Sequence, residues 1–279
     1  MIIERRKIFY IISLILILPG LASLFVNGLN LGIDFRGGSI VHVRIATDVA
    51  ATEVREALAP VGQEKSEVQK SADNTYYIRT SELDQEQTRA IINALKTRFG
   101  EVELLSAESV GATIGRELSL NALMALGLGL ALMLVYISFR FEWTFGVAAV
   151  LALLHNVLVV LGVFSIFQWE VNSPFIASIL TVVGFTINDT IVVFDRVREN
   201  LRGIKKPDYL NILNKSILQV VNRSINTVLT AVITLTALLL LGGATIKFFV
   251  AAMLIGFVAG AYSSICIASP LWYEIKKSD

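Results

Sequence analysis

Six long apolar runs, five joined by short polar connections and one set off by a long polar stretch, give this chain its plan. They fall at about Ile8 to Val26, Leu120 to Phe139, Phe145 to Phe167, Pro174 to Phe194, Ile225 to Leu241 and Phe248 to Ala268. At about 1.5 Å of helical rise per residue, each crosses or nearly crosses a hydrocarbon layer about 30 Å thick. The pattern predicts six transmembrane helices. Arg5, Arg6 and Lys7 before the first run, with Ala22 and Ser23 near its end, give it the look of a signal peptide. The run is too long for one, and five more spans follow.

The long connection, about Asn27 to Ser119, changes period. Ser39 to Ile45 alternates as a strand, and Asp48 to Ala59 has helical spacing with Asp48 or Thr47 as its cap. Val68 to Ser71 and Thr75 to Thr80 flank Ala72-Asp73-Asn74 as a hairpin. Asp84 to Phe99 reads as a helix with Ile91, Leu95 and Phe99 on one face and Gly100 at its end, and Val102 to Ala107 as a last strand. The order βαββαβ is the split βαβ, or ferredoxin-like, arrangement. The expected fold is therefore a mainly α membrane protein with one α+β ferredoxin-like domain inserted between helices 1 and 2. Its segments would be 1–28 (N-terminus and first helix), 29–118 (the inserted domain), 119–273 (five helices) and 274–279 (tail).

Composition agrees with membrane residence: 54% of the 279 residues are hydrophobic, 17% are charged, and mean hydropathy is +0.67. A net charge of +1 without a basic stripe argues against nucleic-acid binding. Cys266 has no partner in the chain and reads as a small buried hydrophobe, and isolated His42 offers no metal-ligand spacing. Lys and Arg sort the short loops. Arg5, Arg6, Lys7, Arg140, Arg196, Arg198, Arg202, Lys205, Lys206, Lys215, Arg223, Lys276 and Lys277 fall on one side, with only Lys247 in the short loops of the other. This places both termini in the cytoplasm and the inserted domain outside. Trp143, Trp169, Trp272 and Tyr273 lie at predicted span ends, where interfacial anchors belong.

Candidate chemistry lies inside the spans. Asp189 interrupts the fourth, where a carboxylate costs about 2.5 to 3.5 kcal/mol on insertion scales, so a functional role is the default reading. It stands beside a face shared by Thr181, Gly184 and Asn188, with Thr190 next to it. It lies five positions before Phe194, so about 7.5 Å from that end of the span, within reach of a snorkelling Arg223 at the entry to span five. Arg223, Asn226, Thr227, Thr230 and Thr234 recur every three or four residues as a polar stripe. The blander reading has these threonines bonding to their own helix's carbonyls and Asp189 merely locking helix packing. His155 and Asn156 are second-rank sites in an otherwise aliphatic third span, a buried histidine being more often a bonded core residue than a proton carrier.

Two long motifs carry a family resemblance. Gly32-Ile33-Asp34-Phe35-Arg36-Gly37-Gly38-Ser39 follows the first span, and Val183-Gly184-Phe185-Thr186-Ile187-Asn188-Asp189-Thr190-Ile191-Val192-Val193-Phe194-Asp195-Arg196-Val197-Arg198-Glu199-Asn200 ends the fourth. In this order, with Asn222-Arg223-Ser224 before span five, the chain resembles the SecF family of the bacterial and archaeal Sec protein-export machinery. In the first motif Gly37 and Gly38 also allow positive φ where the chain leaves the membrane, so Asp34 and Arg36 are read as fixing that junction.

The resemblance implies a cytoplasmic-membrane subunit, half of an RND-type pair, that acts with SecD beside the SecYEG channel to export unfolded preproteins on the proton gradient. It implies protons and membrane lipid as further partners, no cofactor and no enzymatic activity. It also carries the family's intramembrane acid onto Asp189 and its arginine onto Arg223. Two alternatives remain: a half-transporter for a hydrophobic solute or lipid, which the short inserted domain disfavours, and a purely structural partner subunit. No Ser, His and Asp set, phosphate loop or metal cluster stands at useful spacing for an enzyme.

Overall fold

The computed structural model describes residues 2–71, 73–243 and 246–278. It is mainly helical, with six helices long and apolar enough to cross a membrane. The chain divides into two compact units: Met1–Asn30 with Ala122–Asp279, and Leu31–Asn121.

In the helical unit the spans are α1 (Arg6–Val26), α4 (Ala112–Arg140), α5 (Trp143–Phe167), α6 (Ser173–Leu201), α7 (Tyr209–Leu241) and a last one, built from α8 (Lys247–Ser263), a π-helical turn (Ser264–Ala268) and α9 (Ser269–Ser278). Several helices run past their apolar stretches, because charged ends such as Arg196 to Asn200 stay helical beyond the hydrocarbon. α7 starts at Tyr209, about four turns before Arg223, so this arginine lies within a helix and not at its start.

The last span is the hub, touching α5, α6 and α7, while α1 lies along α5. Small residues set the closest approaches. Gly20 of α1 faces Gly162 of α5, where an added Cβ would come within 2.6 Å of the opposite backbone. Gly256 and Gly260, one turn apart on α8, receive Val182 and Thr186 of α6. Trp272 is fully buried, stacked on Phe145 at 4.6 Å and donating Nε1–H to Thr144 Oγ1 at 3.2 Å. The interfacial role expected of Trp272 is therefore wrong. The helix continues past the apolar run, and the ring turns inward to fill the space beside Phe145.

The second unit is a four-stranded antiparallel sheet with two helices. β1 (Gly38–Ile45) leads to α2 (Ala51–Ala57), then β2 (Glu67–Lys70), β3 (Thr75–Thr80), α3 (Gln85–Phe99) and β4 (Val102–Val110). The strands lie in the order β2-β3-β1-β4, with Ser39 opposite Thr80 and Ile45 opposite Val102. One face is the core, where Val41, Val43, Ile45, Tyr76 and Ile78 meet Val54, Leu58, Ile91 and Leu95. Asp84 caps α3 through a reciprocal box with Gln87. The cap expected for α2 does not form: Ala50 holds the N-cap position without a side-chain bond, and Asp48 pairs with Lys70 instead. The Lys70 ammonium on β2 draws off the carboxylate that the helix would have used.

Gly37 and Gly38 have φ of 76° and 127°. A Cβ on Gly38 would meet Thr80 O at 2.7 Å, and one on Gly37 would meet Ala112 Cα at 2.9 Å. Backbone angle and close packing both require glycine here. Asp34 and Arg36 sit on the single helical turn Ile33–Arg36 just before, Asp34 half-buried and Arg36 exposed.

Candidate functional site

Asp189 is buried in the helical unit, 5% exposed. The helix period that exposes Thr181, Gly184 and Asn188 turns Asp189 and Thr190 inward. The last span comes against this part of α6 because Gly260 has no side chain to hold Thr186 away. One turn further on, the hydroxyls of Thr190 and Ser264 lie 3.0 Å apart, and Ser264 Oγ also bonds to Gly260 O at 2.9 Å. Ser264 opens the π turn, a helix defect found frequently at functional sites. Neither Ser264 nor the π turn was singled out in the sequence, where Ser263-Ser264 looks like ordinary small residues in an apolar run.

Arg223 is exposed on α7 and lies on the wall of a cavity of about 660 Å³ with Asp195 and Gln219. Its charge acts on Asp189 through space, but no hydrogen bond or ion pair within 4.0 Å joins the two. The reach of Arg223 toward the acid thus does not close into contact, and Asn188 faces outward into a groove beside α4. Among the described residues the Asp189 carboxyl makes no hydrogen bond, and the hydroxyls of Thr190 and Ser264 bond to each other and to backbone carbonyls.

Thr227, Thr230 and Thr234 donate to Arg223 O, Thr227 O and Thr230 O at 2.9, 2.8 and 3.0 Å, the self-bonding of the blander reading. Asn226, Thr230 and Thr234 nevertheless remain exposed on one flank of α7. His155 and Asn156 form a separate buried group. His155 Nδ1 meets Asn156 Oδ1 at 3.2 Å and Nε2 meets Ser13 Oγ at 3.0 Å; Ser13 contacts Tyr262 OH at 3.2 Å, which donates to Phe9 O at 2.7 Å. This network ties spans one, three and six together and, among the described residues, makes no hydrogen bond to Asp189.

Six helices of membrane-crossing length and apolarity, one of them carrying the buried Asp189, with a small α+β unit, define a multi-pass membrane protein. A family model described as "Protein export membrane protein SecD/SecF, C-terminal" matches residues 90–278, and "SecD/SecF GG Motif" matches residues 22–49. The protein translocase subunit SecF of Sebaldella termitidis is 44% identical over 99% of this chain and 92% of its own length. That of Thermobaculum terrenum is 39% identical over 100% and 94%. SecDF of Thermus thermophilus is 38% identical over 96% of this chain, which spans 38% of that protein. The crystal structure of Thermus SecDF, a translocon-associated membrane protein, superposes with a TM-score of 0.90 at 34% identity, covering 99% of this chain and 38% of that one. The chain belongs to the SecD/SecF family of protein export membrane proteins, among the SecF translocase subunits.

Proposed function

We propose that this chain is the SecF half of a proton-driven accessory to the Sec translocase, paired with a SecD chain and working beside SecYEG on unfolded preproteins. The fusion of the two halves in the Thermus relative supports the pairing. So does the polar flank of α7: Arg223, Asn226, Thr230 and Thr234 are exposed along one side of a membrane helix, and acyl chains are poor cover for them. The excess of Lys and Arg in one set of loops supports cytoplasmic termini in the inner membrane. The βαββαβ unit, with strand order β2-β3-β1-β4, then serves as an extracytoplasmic ferredoxin-like domain that holds or releases the emerging chain. In segment terms, residues 29–118 form that domain, 119–273 the five-helix region and 274–279 a cytoplasmic tail.

The observation that carries this reading is Asp189, an acid buried in the helical unit within reach of one arginine's field and, among the described residues, without a hydrogen bond or ion pair. A proton arriving there removes a charge without first breaking an ion pair, and takes from Arg223 the negative charge it faces at Asp189. Helix packings that differ in the spacing of α6 from α7 and the last span are then biased by proton occupancy. One elementary charge crossing 100 mV supplies about 2.3 kcal/mol. Reconstituted with SecD and SecYEG, the Asp189→Asn chain should insert and fold yet show no stimulation of export by a proton gradient. Undiminished stimulation would remove Asp189 from the mechanism.

A further inference from the structure

We propose that the end of the helical bundle carrying the α4–α5 and α6–α7 connections holds a specific binding site for an anionic phospholipid, with the headgroup among arginines and one acyl chain in the groove between α4 and α6. Two adjoining cavities of about 660 and 560 Å³ lie at this end and share Arg140, Phe141, Asp195 and Glu199. Five arginines line them: Arg140, Arg196, Arg198, Arg202 and Arg223.

The charges do not balance internally. Glu199 takes Arg196 at 2.5 Å, and Glu142 takes Lys276 at 3.0 Å. Among the described residues this leaves Arg140, Arg198, Arg202 and Arg223 without a carboxylate in ion-pair contact, against Asp195 alone. Two of these cations are oriented together. The guanidinium carbons of Arg140 and Arg198 sit 5.3 and 5.7 Å from the centroid of the Phe141 ring, and Arg198 Nη1–H donates to Arg140 O at 3.3 Å. A guanidinium cluster without carboxylate partners at a membrane surface is complementary to phosphate.

The acyl half follows from the adjoining groove. A third opening, of about 660 Å³, shares Tyr136 and Ile191 with the first cavity and continues along Leu132, Met133, Phe185 and Ile187. Asn188 also borders it, and Gly184 leaves its wall open, with nothing within 4 Å of an added Cβ. α4, the near wall, is the span least covered by the rest of the chain, with 6% of its apolar window buried against 56% for α5. A polar, cationic chamber opening into an apolar channel has the shape of one phospholipid. The inference is independent of whether Asp189 carries protons.

Native mass spectrometry of the full-length chain, purified in neutral detergent and titrated with phosphatidylglycerol or phosphatidylcholine, tests it. Phosphatidylglycerol should be retained severalfold more than phosphatidylcholine. Arg140→Gln with Arg198→Gln and Arg202→Gln should abolish that preference, whereas Lys205→Gln with Lys206→Gln, a loss of exposed charge in the same connection, should keep it. Gly184→Phe should fill the groove and reduce retention of the long-chain lipid without touching the arginines. Equal retention of the two lipids by the unaltered chain overturns the proposal, as does an undiminished preference in the arginine variant. Displacement of phosphatidylglycerol by millimolar inorganic phosphate would mean a free-anion site. Loss of the preference when the chain is co-purified with its membrane partner would mean that the partner fills the groove.

Discussion

Arg223 influences Asp189 across space without a hydrogen bond, and that separation dictates how substitutions there should behave. A bidentate pair would distinguish arginine from lysine sharply. A through-space charge does not use the planar fork. Arg223→Lys should therefore retain most proton-dependent stimulation of export, while Arg223→Gln should reduce it about tenfold, the equivalent of about 1.4 kcal/mol. Comparison of the two variants in proton-driven export from reconstituted vesicles checks this. Equal losses would mean that the fork geometry matters after all.

His42 offers a second residue-level test, in the α+β unit. Its ring stacks on Tyr77 at 4.0 Å and its Nε2 is buried without a partner. Burial, and then the charge of Arg44, push its pKa below the ordinary histidine value, with Glu108 opposing them. Since the folded state binds the proton less readily than the unfolded chain, the sheet is fully stable above the unfolded value of about 6.5 and loses stability as pH falls through the lower folded value. Amides of β1 and β3 should exchange faster at about pH 5 than at about pH 7.5, after correction for intrinsic rates. His42→Phe, which keeps the stack, should remove that difference.

At the scale of elements, the α3 cap and the α6–α8 contact make opposite kinds of demand. Asp84 and Gln87 satisfy end groups of α3 reciprocally, so Asp84→Ala should destabilise the α+β unit by about 1 kcal/mol, seen as faster exchange in the first turn of α3. At Gly260 the requirement is for absence: any Cβ overlaps Thr186. Gly260→Ala should lower the unfolding free energy in detergent by about 1 to 3 kcal/mol, whereas Gly127→Ala, where nothing lies within 4 Å, should not. The existence and type of these elements were legible because hydrophobic period changes sharply between spans and sheet. The π turn and the missing α2 cap were not, since each depends on what packs opposite. Ser264 needs Thr190 to have meaning, and Asp48 is drawn away by Lys70. The same holds at the site: residue type marked Asp189 and Arg223, but only the packing of three helices decides that they stand apart.

For the whole molecule, the decisive feature is that α7 is exposed on two chemically different flanks. Ser224, Val228 and Leu235 face the bundle. At about 100° per residue, Arg223, Asn226, Thr230 and Thr234 fall to one side of that contact line, and Leu218, Ile225, Leu229 and Ile233 to the other. The aliphatic flank suits lipid; the polar flank is served better by a second protein, whose side chains can return hydrogen bonds. A photo-crosslinking residue placed at Thr230 or Thr234 should therefore capture SecD when the two are co-expressed, and the same probe at Leu229 or Ile233 should capture lipid only. The pattern should persist in the Asp189→Asn background, because the interface derives from the flank and not from the proton. Capture of SecD from the aliphatic flank, with none from the polar one, would mean that α7 meets its partner the other way round and that its polar stripe faces the membrane for some other reason.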